Sequence, residues 1–220
     1  SVVVGGVRRS ALISLSNLSD DRMRHCKDGQ WWELDSQRAL ANNSAVYIER
    51  PDMSTFLKEW RALYDSKSGE RGLFNRSASI EQVRKNGRRE WEGYEFGTNP
   101  CSEIILRDRE FCNLTEVVIR EEDTFETMKE KVEVATILGT IQATLTDFKY
   151  ITAEWRKNCE EERLLGVSLT GIMDHKHFSG SNGIKELKDD LTNLKNHAIS
   201  INAKYAKKLV VFMQGIVSIM

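Results

Sequence analysis

The chain has 220 residues, with 32 Lys and Arg against 33 Asp and Glu, a formal net charge of −1 and 40% apolar residues. Near-neutral charge argues against binding a nucleic-acid polymer by counterion release, though not against binding single nucleotides. Balanced charge and recurring aromatics argue against disorder, and the longest apolar run, Leu209–Met213, is far short of the roughly 18 residues of a membrane span.

In chain order, Val2–Val4 and Ala11–Leu15 read as buried strand, separated by Gly5-Gly6 and Arg8-Arg9-Ser10. Ala45–Ile48 reads as a short strand entered from Asn42-Asn43-Ser44. Asp52 is placed to cap a helix over 53–66, whose apolar set Phe56, Leu57, Trp60, Leu63 and Tyr64 shares one face. Ser68–Gly72 reads as a loop and 77–89 as a polar helix. The stretch 93–114 is loop-rich, because Pro100 has no N–H and pushes Asn99 out of helical geometry. Ile104–Leu106 and Glu116–Ile119 read as strands. Asp123 with Glu126 resembles a capping box, opening a helix to about 145 with the stripe Phe125, Met128, Val132, Ala135, Leu138, Ile141 and Leu145. Further helices are expected over 153–164 and 184–208, the last with Ile184, Leu187, Leu191, Leu194, Ala198, Ile201 and Tyr205 at alternating three- and four-residue steps. Strands alternating with helices specify an α/β fold, and no repeat or linker divides it.

The chain opens at Ser1 on one apolar run and closes on another, whereas natural termini are usually polar. Both ends therefore read as cuts. No leader opens the chain, and four cysteines are too sparse for a disulfide framework, so a reduced, cytoplasmic setting is expected.

The cysteines carry the chemistry to be weighed. Zinc ligands come in close pairs, but Cys101 and Cys112 are eleven apart and His175 and His177 have no cysteine nearby, so no metal is expected. Cys101 lies in Asn99-Pro100-Cys101-Ser102-Glu103. If that loop is extended, Asn99, Cys101 and Glu103 share one face and converge on one substrate. A free cysteine in a turn, flanked by solvated polar groups, is the commoner meaning of such spacing. Cys112, in Phe111-Cys112-Asn113-Leu114 before a strand, has a small buried hydrophobe as its plain reading. Cys26 and Cys159 have no companion pattern and read as structural.

At these residues the sequence resembles the ribonucleotide reductases. The Asn99–Glu103 loop, with Phe111–Leu114 eleven residues after its cysteine, is similar to their catalytic core. Gly6–Ala11, Ala41–Val46, Ser68–Arg76, Gly139–Thr144 and Glu162–Val167 agree, most of all with the adenosylcobalamin-dependent (class II) ribonucleoside-triphosphate reductases. The resemblance covers about residues 2–208, which makes 1–209 part of a catalytic barrel and 210–220 a divergent tail. It implies a ten-stranded α/β barrel with a central finger loop. It further implies a thiyl radical on Cys101, Glu103 as general base, Asn99 orienting the substrate hydroxyls, and Cys112 as half of a reducing dithiol. Adenosylcobalamin as cofactor, a ribonucleoside-triphosphate substrate, a deoxynucleotide effector and a thioredoxin-type reductant follow from the same resemblance. So do features the chain lacks: a partner for Cys112 upstream of Ser1, a C-terminal cysteine pair and a phosphate-cradling loop. The 220 residues alone are therefore expected to be inactive, and a part-barrel with open strand edges is expected to aggregate. Ser102 stands where the family often has glycine. Rival readings are a class I large subunit, whose radical comes from a partner subunit, and a catalytically dead nucleotide-binding α/β module.

Overall fold

The computed structural model describes residues 12–209 and the backbone of 217–219. The expected strand at Val2–Val4, the Gly6–Ser10 block and most of the tail from Val210 lie outside the described residues. The chain forms two compact units, residues 1–108 and 109–220.

The first unit opens with β1 (Leu12–Ser16), followed by two single-turn helices, α1 (Asp21–Arg24) and α2 (Trp31–Leu34), and a 3₁₀ turn at Ser36–Leu40. Next come β2 (Ala41–Tyr47), α3 (Met53–Ser66), β3 (Gly72–Asn75) and α4 (Arg76–Asn86). The strands β1, β2 and β3 make a parallel sheet in that order, with Ser14 opposite Asn43 and Val46 opposite Phe74. The strand β1 is not fully buried as expected: Leu12 is about half exposed. The Asn-Asn-Ser lead-in belongs to β2 itself, and Ile48 lies beyond it in solvent. The strand β3 was not anticipated beside its loop.

Helix α3 has its expected bounds, because the Asp52 carboxylate accepts from the Thr55 N–H at 3.0 Å. Its orientation is a correction. Leu57, Trp60 and Tyr64 are 54, 56 and 76% exposed, and the helix buries Glu59 instead. Glu59 accepts from Arg24 Nε at 2.6 Å and from Arg71 Nη2 at 2.7 Å, and both arginines are buried. Two buried guanidinium groups require a carboxylate between them, and that requirement outweighs the apolar stripe.

The second unit contains β6 (Asn113–Val118), which follows the short pair β4 (Gly97–Thr98) and β5 (Ile105–Leu106) of the first unit. Then come α5 (Phe125–Gln142), α6 (Ala153–Glu162), β7 (Leu165–Thr170), α7 (Ile184–Lys208) and β8 (Val217–Ile219). The sheet is parallel in the order β6-β7-β8, with Val117 opposite Leu169. Parallel neighbours need crossover connections, and helices α5 to α7 supply them. Val117, Ile119, Met128, Val132, Leu165, Val167, Leu194 and Ala198 form the core between sheet and helices.

Helix α5 departs from its predicted stripe. Its cap is Thr124, not Asp123: Thr124 and Thr127 exchange side-chain and backbone bonds, while Asp123 accepts from Arg120 N and binds Lys131. Met128, Val132 and Ala135 are buried as expected, but Leu138, Ile141 and Leu145 face solvent. The helix buries Thr136, Gly139 and Thr140 there. Both hydroxyls are satisfied within the helix, at 2.6 Å to Val132 O and 2.7 Å to Thr136 O. Asn202 of α7 also donates to Thr140 Oγ1 at 2.9 Å. Gly139 lets Leu165 of β7 approach where a methyl group would collide. Helix α7 has its predicted bounds, though Ile184 at its start is exposed.

The architecture is thus mixed helix and strand built around small parallel sheets, as an α/β reading requires.

Candidate functional site

The strands β4 and β5 pair antiparallel and carry the loop Asn99–Ile104 between them. Two backbone bonds fold it: Ser102 N–H donates to Asn99 O at 2.9 Å, and Asn99 N–H donates to Ile104 O at 3.3 Å. The first closes a β-turn with Pro100 in its second position, where a fixed φ is favourable. Ser102 adopts φ of 65°, in the left-handed region. This is the position where glycine carries no penalty and serine does.

The extended geometry that would set Asn99, Cys101 and Glu103 on one face by alternation is therefore absent. Asn99 is 7% exposed at the base of the loop, and its amide oxygen accepts from Ile104 N at 3.0 Å. Cys101, Ser102 and Glu103 are exposed at the tip. The turn leaves both the thiol and the carboxylate exposed. The loop thus occupies one acceptor position of the Asn99 oxygen.

A further residue holds the loop from below. Asn42, on β2, donates its amide to Pro100 O at 2.6 Å. It was not singled out from sequence, though an asparagine pair opening a strand was a signal that those positions bond elsewhere. Asn42 also lines a cleft of about 440 Å³ with Cys26, Lys27, Arg38 and Asn43. The cleft's lysine is spoken for, since Lys27 Nζ binds Glu70 at 2.8 Å and Ala41 O at 2.7 Å. Cys26 Sγ accepts from Asn43 Nδ2 at 3.2 Å, and burial pushes its thiol pKa up.

In the second unit, Cys112 is half-buried immediately before β6, the place expected for it. Asn113 fixes the strand entry, its N–H donating to Leu164 O at 2.9 Å. Phe111 stacks on Trp155 with centroids 4.5 Å apart and meets Phe148 edge-on at 5.3 Å. The Phe111 N–H donates to Cys159 Sγ at 3.3 Å. Burial pushes the Cys159 thiol up to about 11, so at neutral pH it is an un-ionised, unreactive thiol.

None of the four cysteines is paired in a disulfide. Among the described residues no group of three or more His, Cys, Asp and Glu is placed to hold a metal ion. His175 and His177 are engaged within the fold, with Asp123 O at 2.9 Å and Asp190 Oδ2 at 2.8 Å. No helix of the described residues is long and apolar enough to cross a membrane.

The two sequence stretches that resembled ribonucleotide reductases thus lie in a hairpin loop with an exposed tip, Asn99–Glu103, and at the entry to a parallel strand, Phe111–Leu114. No family model matches the chain. Curated relatives do match. It is 34% identical over 185 residues, 79% of its length, to the adenosylcobalamin-dependent ribonucleoside-triphosphate reductase of Levilactobacillus brevis, of which it covers 23%. It is 30% identical over 211 residues, 91% of its length, to the proteins of that name from Lactobacillus delbrueckii subsp. bulgaricus and Lactobacillus leichmannii, covering 27% of each. The chain thus spans about a quarter of the length of these relatives. It is a homologue of one segment of ribonucleotide reductases. More particularly, the segment is that of the adenosylcobalamin-dependent ribonucleoside-triphosphate reductases, as the sequence motifs indicated.

Proposed function

We propose that the chain supplies the radical loop and one redox thiol of an enzyme that reduces ribonucleoside triphosphates to 2′-deoxyribonucleotides with adenosylcobalamin. The observation that carries this reading is the Asn99–Glu103 hairpin, which puts the Cys101 sulfur in the open while tying its base to β2 and β5. Adenosylcobalamin, when bound, supplies a carbon-centred radical. Cys101 suits that supply, because a thiol that yields its hydrogen atom to a bulky external group must be exposed, as it is.

The chain's own residues then have distinct tasks. Cys101 gives up its sulfur-bound hydrogen and, as a thiyl, takes the 3′ hydrogen of the ribose. Glu103 accepts the 3′-OH proton while the 2′-OH leaves as water; it is exposed in the same loop, two residues after Cys101. Asn99 directs its NH₂ toward the substrate hydroxyls. Cys112 and a partner thiol provide two electrons and two protons and end as a disulfide, which a thioredoxin-type reductant resets. A deoxynucleotide effector, a cytoplasmic setting and the ten-stranded barrel around the finger loop, with residues 1–209 as part of it and 210–220 as a divergent tail, belong to the same proposal.

The test is turnover by the full-length protein that carries this segment. Reduction of a ribonucleoside triphosphate that requires adenosylcobalamin and no second subunit is the expected result. Dependence on a di-metal partner subunit would assign the chain to class I instead.

A further inference from the structure

Helix α6 packs one face against the residues that precede β6. Four of its residues, Glu154, Trp155, Asn158 and Cys159, occupy successive turns of one face, at i, i+1, i+4 and i+5. Each grips the segment that leads to Cys112. Glu154 pairs with Arg109. Asn158 donates its amide to Arg109 O at 3.3 Å. Trp155 stacks on the Phe111 ring, and Cys159 Sγ takes the Phe111 N–H. Beyond the helix, Leu164 O accepts from Asn113 N at 2.9 Å. The residues on both sides of Cys112 are therefore fixed by one short element and the turn that follows it.

We infer that α6 is a clamp that positions Cys112, with Cys159 as a positioning residue acting through the Phe111 N–H rather than as a redox thiol. The buried Cys159 sulfur gives the Phe111 N–H a fixed acceptor although the Phe111 side chain is partly exposed. The inference depends on the proposed redox role of Cys112 only for why its position matters. The clamp itself is a statement about how the Phe111–Asn113 backbone is held.

The clamp is tested by the rate at which iodoacetamide labels Cys112 in the reduced, folded full-length protein that carries this segment, read by mass spectrometry of the Cys112 peptide. Cys26, half-buried in the other unit, is the internal control. Cys159→Ala removes the acceptor and is expected to speed labelling of Cys112 about fivefold while leaving Cys26 unchanged. Cys159→Ser keeps an acceptor and is expected to return the rate to within about twofold of the parent. Should Cys159→Ala fail to fold, Asn158→Ala carries the same comparison from the half-buried side of the helix. An unchanged Cys112 rate in the folded variants, an equal rise at Cys26, or no rescue by serine would each overturn the clamp. Failure of the reductase reading would appear elsewhere, as absence of nucleotide reduction by the full-length protein, and would leave these labelling rates as they are.

Discussion

Two side chains show how burial sets chemistry in this chain. Burial alone would push the Glu59 carboxyl up. The hydrogen bonds and charges of Arg71 and Arg24 outweigh it and hold the group below its ordinary value of 4.5. Its contribution to stability is therefore complete above that value and is lost as the pH falls below it. Removing the carboxylate strands two buried cations, so Glu59→Ala is expected to destabilise the first unit by about 3–5 kcal/mol in urea denaturation. A loss below about 1 kcal/mol would mean that solvent reaches the arginines. Cys159 has the opposite sense. Its thiol is raised from 9.0 to about 11, so the folded chain holds the proton that the unfolded chain gives up. The stability it contributes is full below pH 9.0 and declines as the pH rises toward about 11. Urea midpoints across that range should fall for the parent chain and fall less for Cys159→Ser, whose hydroxyl does not titrate there. Equal slopes would place the titrating group elsewhere.

At the scale of elements, the helices were legible wherever local signals fix them. Asp52 marked the start of α3, and the apolar period of α7 gave both of its ends. What local pattern does not carry is how a helix is turned. Glu59 is inward because of Arg24 and Arg71, which lie 35 and 12 residues away. The outer half of the α5 stripe is exposed because Gly139 and two threonines give closer packing than Leu138 and Ile141 could. Strands β3 and β7 were unassigned because a short strand in a parallel sheet has no two-residue alternation to read, and β7 is further interrupted by Gly166. The contact at Gly139 is open to test. Gly139→Ala forces its methyl group against Leu165 and is expected to cost about 1–3 kcal/mol in the denaturation of the second unit. Glycine is otherwise the poorer helix former by about 1 kcal/mol, so a stabilised variant would show that the α5–β7 contact is loose.

At the scale of the molecule, the chemistry of the site was more legible than its shape. The residue types and the eleven-residue offset between Cys101 and Cys112 named the reductase family, and the relatives agree. The geometry of the loop was not readable in the same way. Alternation along an extended segment would have aligned Asn99, Cys101 and Glu103, whereas Pro100 and the left-handed Ser102 fold a turn that buries the first and exposes the other two. The support from Asn42 and the grip of Cys159 on Phe111 reach across 58 and 48 residues, beyond any local motif. The central claim is that the exposed sulfur of Cys101 carries the radical. It is tested most directly by Cys101→Ala in the full-length protein, with ribonucleoside-triphosphate reduction and nucleotide binding measured side by side. Reduction is expected to disappear while binding stays within about twofold of the parent, because the substituted side chain sits at the solvent-facing tip and not in the packing beneath it. Deoxynucleotide production that survives the substitution would contradict the account.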